Sequence, residues 1–214
     1  MYHNYMIFKI DLHVHSKFSG DNESEPEASV LHAIQTGLKG IAFTEHYSYD
    51  ASDFAEALRE KYAGKIMIFR GVEYSSAEGH CLVFGVNTDR LNTKNASMKD
   101  LIPLVNEQGG VVIPTHPYRG ANSIGEEIKS LKGLCAIEGH NGYSHHFQNT
   151  KAVRAAGELK LPFTGGSDAH APQEAGSCYT EFLNDVTYEN FIDLLKGGDY
   201  RGVDTRKISR VWPF

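Results

Sequence analysis

Short apolar runs alternate with amphipathic ones along the whole chain. Runs at residues 6–10, 40–43, 66–72, 81–85, 111–114, 134–137, 161–164 and 178–183 read as strands. The spacing between them predicts helices over 26–37, 53–62, 98–108, 125–132, 149–160 and 188–196, then a short terminal extension. Ser24 is placed to cap the first helix, Pro26 sits early in it, and Leu31, Ile34 and Leu38 share one face. Leu101, Leu104 and Val105 stripe the third helix, which Gly109 and Gly110 stop. Regular alternation of strand and helix implies a parallel sheet with helices outside. About seven such units fit a β/α barrel better than an open sheet. No low-complexity linker or charge block divides the chain, so residues 1–214 are expected to form a single domain.

The polar residues follow the same frame. Asp11-Leu12-His13-Val14-His15 comes just after the first strand, Thr44-Glu45-His46 after the second and Gly71-Val72-Glu73 after the third. His80 borders the fourth. The fifth ends in Thr115-His116-Pro117, the sixth in Glu138-Gly139-His140-Asn141, and the seventh in Gly165-Gly166-Ser167-Asp168-Ala169-His170. In a parallel barrel the carboxyl ends of all strands lie on one face, where active sites are built. Residues far apart in sequence then converge on one cleft. His13 and His15 are two apart, so an extended strand points both to one side, and Asp168 and His170 repeat that spacing. Imidazole suits zinc, iron and manganese, and carboxylates can bridge two ions. The Gly165-Gly166 pair lacks the frame of a dinucleotide-binding loop and instead lets the backbone pass close to the ligands.

Composition narrows the field. With 41% hydrophobic and 22% charged residues the chain is a core-forming mixture, not a disordered one. No apolar run approaches the roughly 18 residues of a membrane span, and the start shows no signal-peptide pattern. A formal charge of −6 argues against a broad nucleic-acid surface, while a small phosphorylated substrate stays open because bound metals would invert the local sign. The three cysteines, Cys81, Cys135 and Cys178, share no close spacing and are expected as reduced thiols in a cytoplasmic core. Without clustered thiolates a structural zinc finger is excluded. His3 reads as a terminal residue and His32 as surface. His140, His145 and His146 read as structural or as orienting the ligands, with Glu138 and Asn141 as pocket wall.

The motifs DLHVHS, TEH, GVE, THP and GSDAH, in this order, resemble the polymerase and histidinol phosphatase (PHP) superfamily. The resemblance runs from about Ile10 to His170. It implies a distorted seven-stranded β/α barrel of TIM-like type with two or three divalent ions (Zn, Fe or Mn) that hydrolyses phosphate esters. Carried over, it implies that His13, His15, Glu73 and Asp168 bind a first ion, and that Glu73 bridges to a second held by His80 and His116. Asp21, His46 and His170 would hold a third. TEH departs from the more usual TDH, which leaves Glu45 behind the ligands.

Two ions about 3.5–4 Å apart can share a water and lower its pKa, so a hydroxide bridging the first two is the expected nucleophile. Glu73, Asp168 and His170 are the expected catalytic groups, with Asp11 and Glu45 accepting from ligand imidazoles. Arg119, and more weakly Lys17 and Arg70, are candidates to grip the phosphate. The expected substrate is a small phosphorylated molecule such as a sugar, nucleotide or histidinol-phosphate-like ester. Alternatives are a nuclease-like enzyme trimming short oligonucleotides, an amidohydrolase-type hydrolase of C–N or C–O bonds, and a non-catalytic metal-binding module. An amidohydrolase would want a carboxylated lysine where Glu73 stands.

Overall fold

The computed structural model describes residues 7–91, 93 and 95–207. The expectations for His3 and for the start of the first strand at Met6 lie outside the described residues. Strands β1 (Phe8–Val14), β2 (Gly40–Phe43) and β3 (Met67–Ser75) are parallel, with helices α1 (Pro26–Gln35) and α2 (Phe54–Lys61) as crossovers. All four residues of β2 and the last five of β1 are buried, as befits parallel strands covered on both faces.

The simple alternation ends at β3. It turns directly into β4 (His80–Phe84), which pairs antiparallel to it, and β5 (Val111–Pro114) pairs antiparallel to β4 after helix α3 (Met98–Glu107). Strands β6 (Ile137–Asn141) and β7 (Phe163–Gly166) form a separate parallel pair joined by α4 (His146–Leu159). On the other edge of β1, β8 (Cys178–Phe182) runs antiparallel, followed by α5 (Phe191–Gly197) and β9 (Tyr200–Asp204). The result is a curled seven-stranded sheet, β5-β4-β3-β2-β1-β8-β9, with the β6–β7 pair beside it. The expected all-parallel barrel is thus a mixed, curled half-barrel, and the terminal extension carries a strand.

The pair and the sheet meet at several places, two of which position the site. Near the carboxyl end of β1, Val14 bridges Ala169 in parallel fashion, and Asp168 N donates to His13 O at 2.7 Å. Lower down, β7 lies directly on the backbones of β8 and β9. A Cβ on Gly165 would stand 2.4 Å from Tyr179 O, and Thr180 Oγ1 hydrogen-bonds both Gly165 N and Gly165 O at 2.9 Å.

Two bulges re-aim side chains. Asp11 pairs with Ile41 and Val14 with Phe43, so β1 carries one residue more than β2 between these rungs. Val14, Ile41 and Phe43 pack with Val30, Ala33 and Ala55 of the helices, whereas Ile10 and Leu12 belong to the opposite cluster with Leu82, Phe84 and Phe182. The extra residue flips the alternation, so His13 and His15, flanking Val14, face away from α1 and α2. In β6 the register shifts between Glu138 and His140, which puts Glu138 and Asn141 on one side.

Local expectations were corrected at the first helix and near residue 125. Glu25, not Ser24, precedes α1, and Ser24 Oγ instead meets Ser29 Oγ at 3.4 Å. Leu31 is exposed, and α1 buries Val30 and Ala33. Residues Gly125–Ser130 form a 3-10 helix. The three cysteines are free thiols, and burial raises the pKa of each, that of Cys135 to about 11. No helix among the described residues is long and apolar enough to cross a membrane.

Because β7 has no room above Gly165, Gly165→Ala is expected to destabilise the fold by about 1–3 kcal/mol, the usual range for overpacking. Thermal unfolding of the variant measures it, and an unchanged midpoint would contradict backbone-to-backbone packing there.

Candidate metal centre

The centre begins with His13 and His15, brought to the same side by their spacing and turned towards β6 and β7 by the bulge. His13 Nδ1 stands 2.9 Å from Glu138 Oε1, and His15 Nδ1 stands 2.9 Å from Ser19 Oγ, which itself donates to Glu45 Oε2. A carboxylate accepts only, and Ser19 has already given its one hydrogen away. Both rings therefore carry a proton on Nδ1. Their Nε2 atoms face each other at 3.0 Å. Oxygens of Glu73 and Asp168 stand 3.3–3.5 Å from these same two nitrogens. All four side chains are buried. Carboxylates and ring nitrogens aimed at one point in a dry interior need positive charge among them, from protons on the rings or from a cation. The four donor atoms lie within 4.8 Å of one another, compact enough for a single ion.

Glu73 is the hub. Its Oε1 lies 2.9 Å from His116 Nε2 and 3.3 Å from His80 Nδ1, and its Oε2 lies 3.2 Å from His46 Nδ1. The Nδ1 atoms of His46 and His80 are buried and have no hydrogen-bond partner among the described residues. They approach the carboxylate closely but out of line, the geometry of ligands meeting at a shared ion, and His46, Glu73 and His80 form a second donor group. The third comprises His15, His46 and His170. Asp21 Oδ2 joins it, 3.0 Å from His46 Nε2 and 3.1 Å from His170 Nε2. His170 Nδ1 donates to Asp168 O at 2.8 Å, which leaves its Nε2 free as a donor of electrons.

Charges in the centre are strongly coupled. Burial alone would raise Glu73 and Asp168, but the adjoining His13, aided by the hydrogen bonds of His116 and His15, holds both well below the usual carboxylate range. Burial opposes protonation of His15, yet Asp168 and Glu73 lift it to about 9. Burial, reinforced by the charge of His15, lowers His46 to about 4, so its ring is neutral and ready to ligate at neutral pH. His116 and Asp168 adopt left-handed backbone angles, φ 29° and 55°. Such residues cost on the order of 1–3 kcal/mol each and persist where the surroundings fix them. Here Glu138 Oε2 accepts from His116 N at 2.8 Å, and His13 O accepts from Asp168 N.

Of the expected phosphate-gripping residues, only Arg119 reaches the cleft, a cavity of about 390 Å³ over the donor groups. It donates to Asp168 Oδ2 at 2.5 Å and to His116 Nε2 at 2.9 Å. Lys17 is instead paired with Glu25 at 2.8 Å on the surface. Arg70 is held by Asp53, Glu56 and Tyr49 O and lies over the Tyr49 ring, away from the cleft. The roles expected for Asp11 and Glu45 also change. Asp11 accepts from the backbone N–H groups of His13, Ser167 and Gly176, so it ties β1 to the β7 turn, not to an imidazole. Glu45 accepts from Ser16 and Ser19 and reaches His15 only through Ser19. Glu138, expected only as pocket wall, is the carboxylate that orients an imidazole directly. Its one legible signal was a carboxylate at a strand end. His140 is turned away by the β6 bulge onto Phe163, and His146 meets Asp204 at 3.3 Å.

A family model described as PHP-associated matches residues 146–200. A two-domain Bacteroides vulgatus protein containing a predicted PHP-like metal-dependent phosphoesterase has the same fold. It superposes with a TM-score of 0.73 over 94% of this chain and 65% of its own, at 21% identity. The chain is thus similar to PHP proteins over this segment and shares their fold. An uncharacterised protein of Methanocaldococcus jannaschii is 29% identical over 146 residues, which cover 63% of this chain and 82% of that protein. The histidinol-phosphatase of Lactococcus lactis is 43% identical over 56 residues, 25% of this chain and 21% of that enzyme. The PHP family match lies over α4 to β9, whereas the donor groups draw mostly on the strand ends before it.

Since Glu138 fixes both the His13 ring and the strained His116 backbone, Glu138→Ala is expected to weaken divalent-metal affinity about 10–100-fold, the usual cost of removing such a support. Calorimetric titration of the metal-free variant with zinc or manganese tests this. Unchanged affinity would show that His13 holds its orientation without Glu138.

Proposed function

We propose that this chain is a PHP-superfamily protein and a metal-dependent hydrolase of phosphate esters of small molecules. The carrying observation is the 3.0 Å approach of His13 Nε2 to His15 Nε2, with both rings already committed as donors on their other nitrogens. Without a metal the two carboxylates favour protonated rings, and a divalent ion would supply that positive charge among the same four side chains. The proposed first ion lies among His13, His15, Glu73 and Asp168, and the second among Glu73, His80 and His116. The third would lie among Asp21, His46 and His170. Imidazole with carboxylate and no thiolate suits zinc, iron or manganese. His46 reaches both Glu73 and Asp21, which makes it a link between the second and third groups.

When bound, such ions lower the pKa of a coordinated water and neutralise charge on a phosphate ester. The chain's own contribution is positional. Glu73 spans two donor groups and sets their spacing. Arg119, already lying against Asp168, offers a planar fork that can take two phosphate oxygens. Asp168 and His170 enter the cleft together, joined by the His170 Nδ1 hydrogen bond to the Asp168 carbonyl. The Bacteroides vulgatus neighbour is described as a metal-dependent phosphoesterase and the Lactococcus lactis relative as a histidinol-phosphatase, and both descriptions support a phosphate ester as substrate.

The test is phosphate release from a panel of phosphomonoesters and phosphodiesters, run with manganese, iron, zinc and no metal, with amide and lactone substrates alongside. Metal-dependent phosphate release is expected, and amide or lactone turnover without it would overturn the reading. Glu73→Gln should lose both bound metal and at least about 100-fold of kcat, in line with a group placed on two ions. Arg119→Ala should raise KM about tenfold with a smaller change in kcat, as expected for loss of a charge-assisted contact.

A further inference from the structure

The three most exposed large hydrophobic side chains among the described residues are Phe147 at 70%, Tyr47 at 67% and Tyr143 at 60%. All three are aromatic, and all lie on segments leaving the carboxyl ends of β2 and β6, the rim of the metal cleft. Two of them touch candidate ligands. The Tyr47 ring lies 5.1 Å from that of His46, tilted by 27°, and the Tyr143 ring lies 5.3 Å from that of His170. His46 and His170 both meet Asp21 Oδ2, so the two tyrosines stand beside one donor group, while Arg119 lies against Asp168 and His116; Tyr47 faces a neighbouring cavity with Tyr74.

Neither ring is placed casually. Tyr47 has φ 65°, a left-handed conformation that a bulky residue rarely adopts. Tyr143 sits on a clamped turn. Asn141 Oδ1 accepts from Tyr143 N and Ser144 Oγ, and Arg206 donates to Gly142 O and Ser144 O. A Cβ on Gly142 would lie 2.3 Å from Ser167 O, so the turn is pressed against the β7 end that carries Asp168. Tyr143 also lines the same cavity as Arg119. Rigid, solvent-facing aromatic rings beside an anion-gripping guanidinium suit a ligand with a phosphate at one end and a flat heteroaromatic system at the other.

Resting on the phosphate-ester reading above, we propose that the substrate is a nucleoside monophosphate, its base stacked on Tyr143 and its phosphate directed to Arg119. A cavity of about 390 Å³ is of the size that holds a small-molecule ligand. The chain's charge of −6 argues for a free nucleotide over a polymer.

The experiment compares adenosine monophosphate, histidinol phosphate and ribose 5-phosphate on the manganese-loaded chain, with wild type, Tyr143→Ala, Tyr143→Phe and Tyr47→Ala. The nucleotide is expected to have the highest kcat/KM. Tyr143→Ala should lower it about five- to hundredfold through KM, the range seen when a base-stacking ring is removed, and should lower that of ribose 5-phosphate far less. Tyr143→Phe should retain the nucleotide preference and Tyr47→Ala should weaken it. Ribose 5-phosphate or histidinol phosphate turned over as well as the nucleotide, or equal losses for all three in Tyr143→Ala, would overturn the proposal. If none of the three releases phosphate, the hydrolase reading is decided separately by the wider ester panel above. Equilibrium binding of adenosine monophosphate against ribose 5-phosphate then decides the stacking role by the same comparison.

Discussion

Two imidazole Nε2 atoms held 3.0 Å apart between two buried carboxylates form the constraint around which this molecule is arranged. Such a knot of electron-rich atoms is unfavourable in a dry interior and has to be enforced from outside. Glu138 and Ser19 enforce it by fixing which nitrogen of each ring carries the proton. The strand frame enforces it by keeping His13 and Asp168 in backbone contact. Strained backbone angles at His116 and Asp168, and at Tyr47 next to His46, gather around this spot.

Much of this could be read from the chain. The strand-end rule located His13, His15, His46, Glu73, His80, His116, Asp168 and His170 correctly as neighbours, because a period of two and a parallel β/α frame leave little freedom at strand termini. What could not be read depends on single inserted residues. The bulge between Asp11 and Val14 decides that His13 and His15 face the cleft, and the one at Gly139 decides that Glu138 and Asn141 face it while His140 does not. Both are local backbone choices with no distinct sequence signature. The β3–β4 hairpin likewise escaped the parallel expectation, since a buried strand reads the same in either direction.

Charged residues off the strand ends were harder still. Arg70 lies within β3, five positions before its end, and is drawn outward by Asp53 and Glu56, partners that only the fold brings near. Arg119 follows a candidate ligand by three residues and does enter the cleft. Arg70 stands equally near a candidate ligand in sequence, three residues before Glu73, so only the partners that the fold supplies separate the two.

The contact between Val14 and Ala169 ties the turn after β7 to the middle of the curled sheet, and Asp11 reaches Ser167 across 156 positions of chain. The group of His46, Glu73 and His80 draws on one stretch of β2 to β4, but that of His13, His15, Glu73 and Asp168 needs both ends of this long-range contact. An ion bound among the latter four would act as a late staple, rewarding docking of the β6–β7 pair only after most of the chain entropy has been lost. Folding of this chain is then expected to have a topologically demanding, slow final step, and metal supply becomes a determinant of how long the pair stays docked.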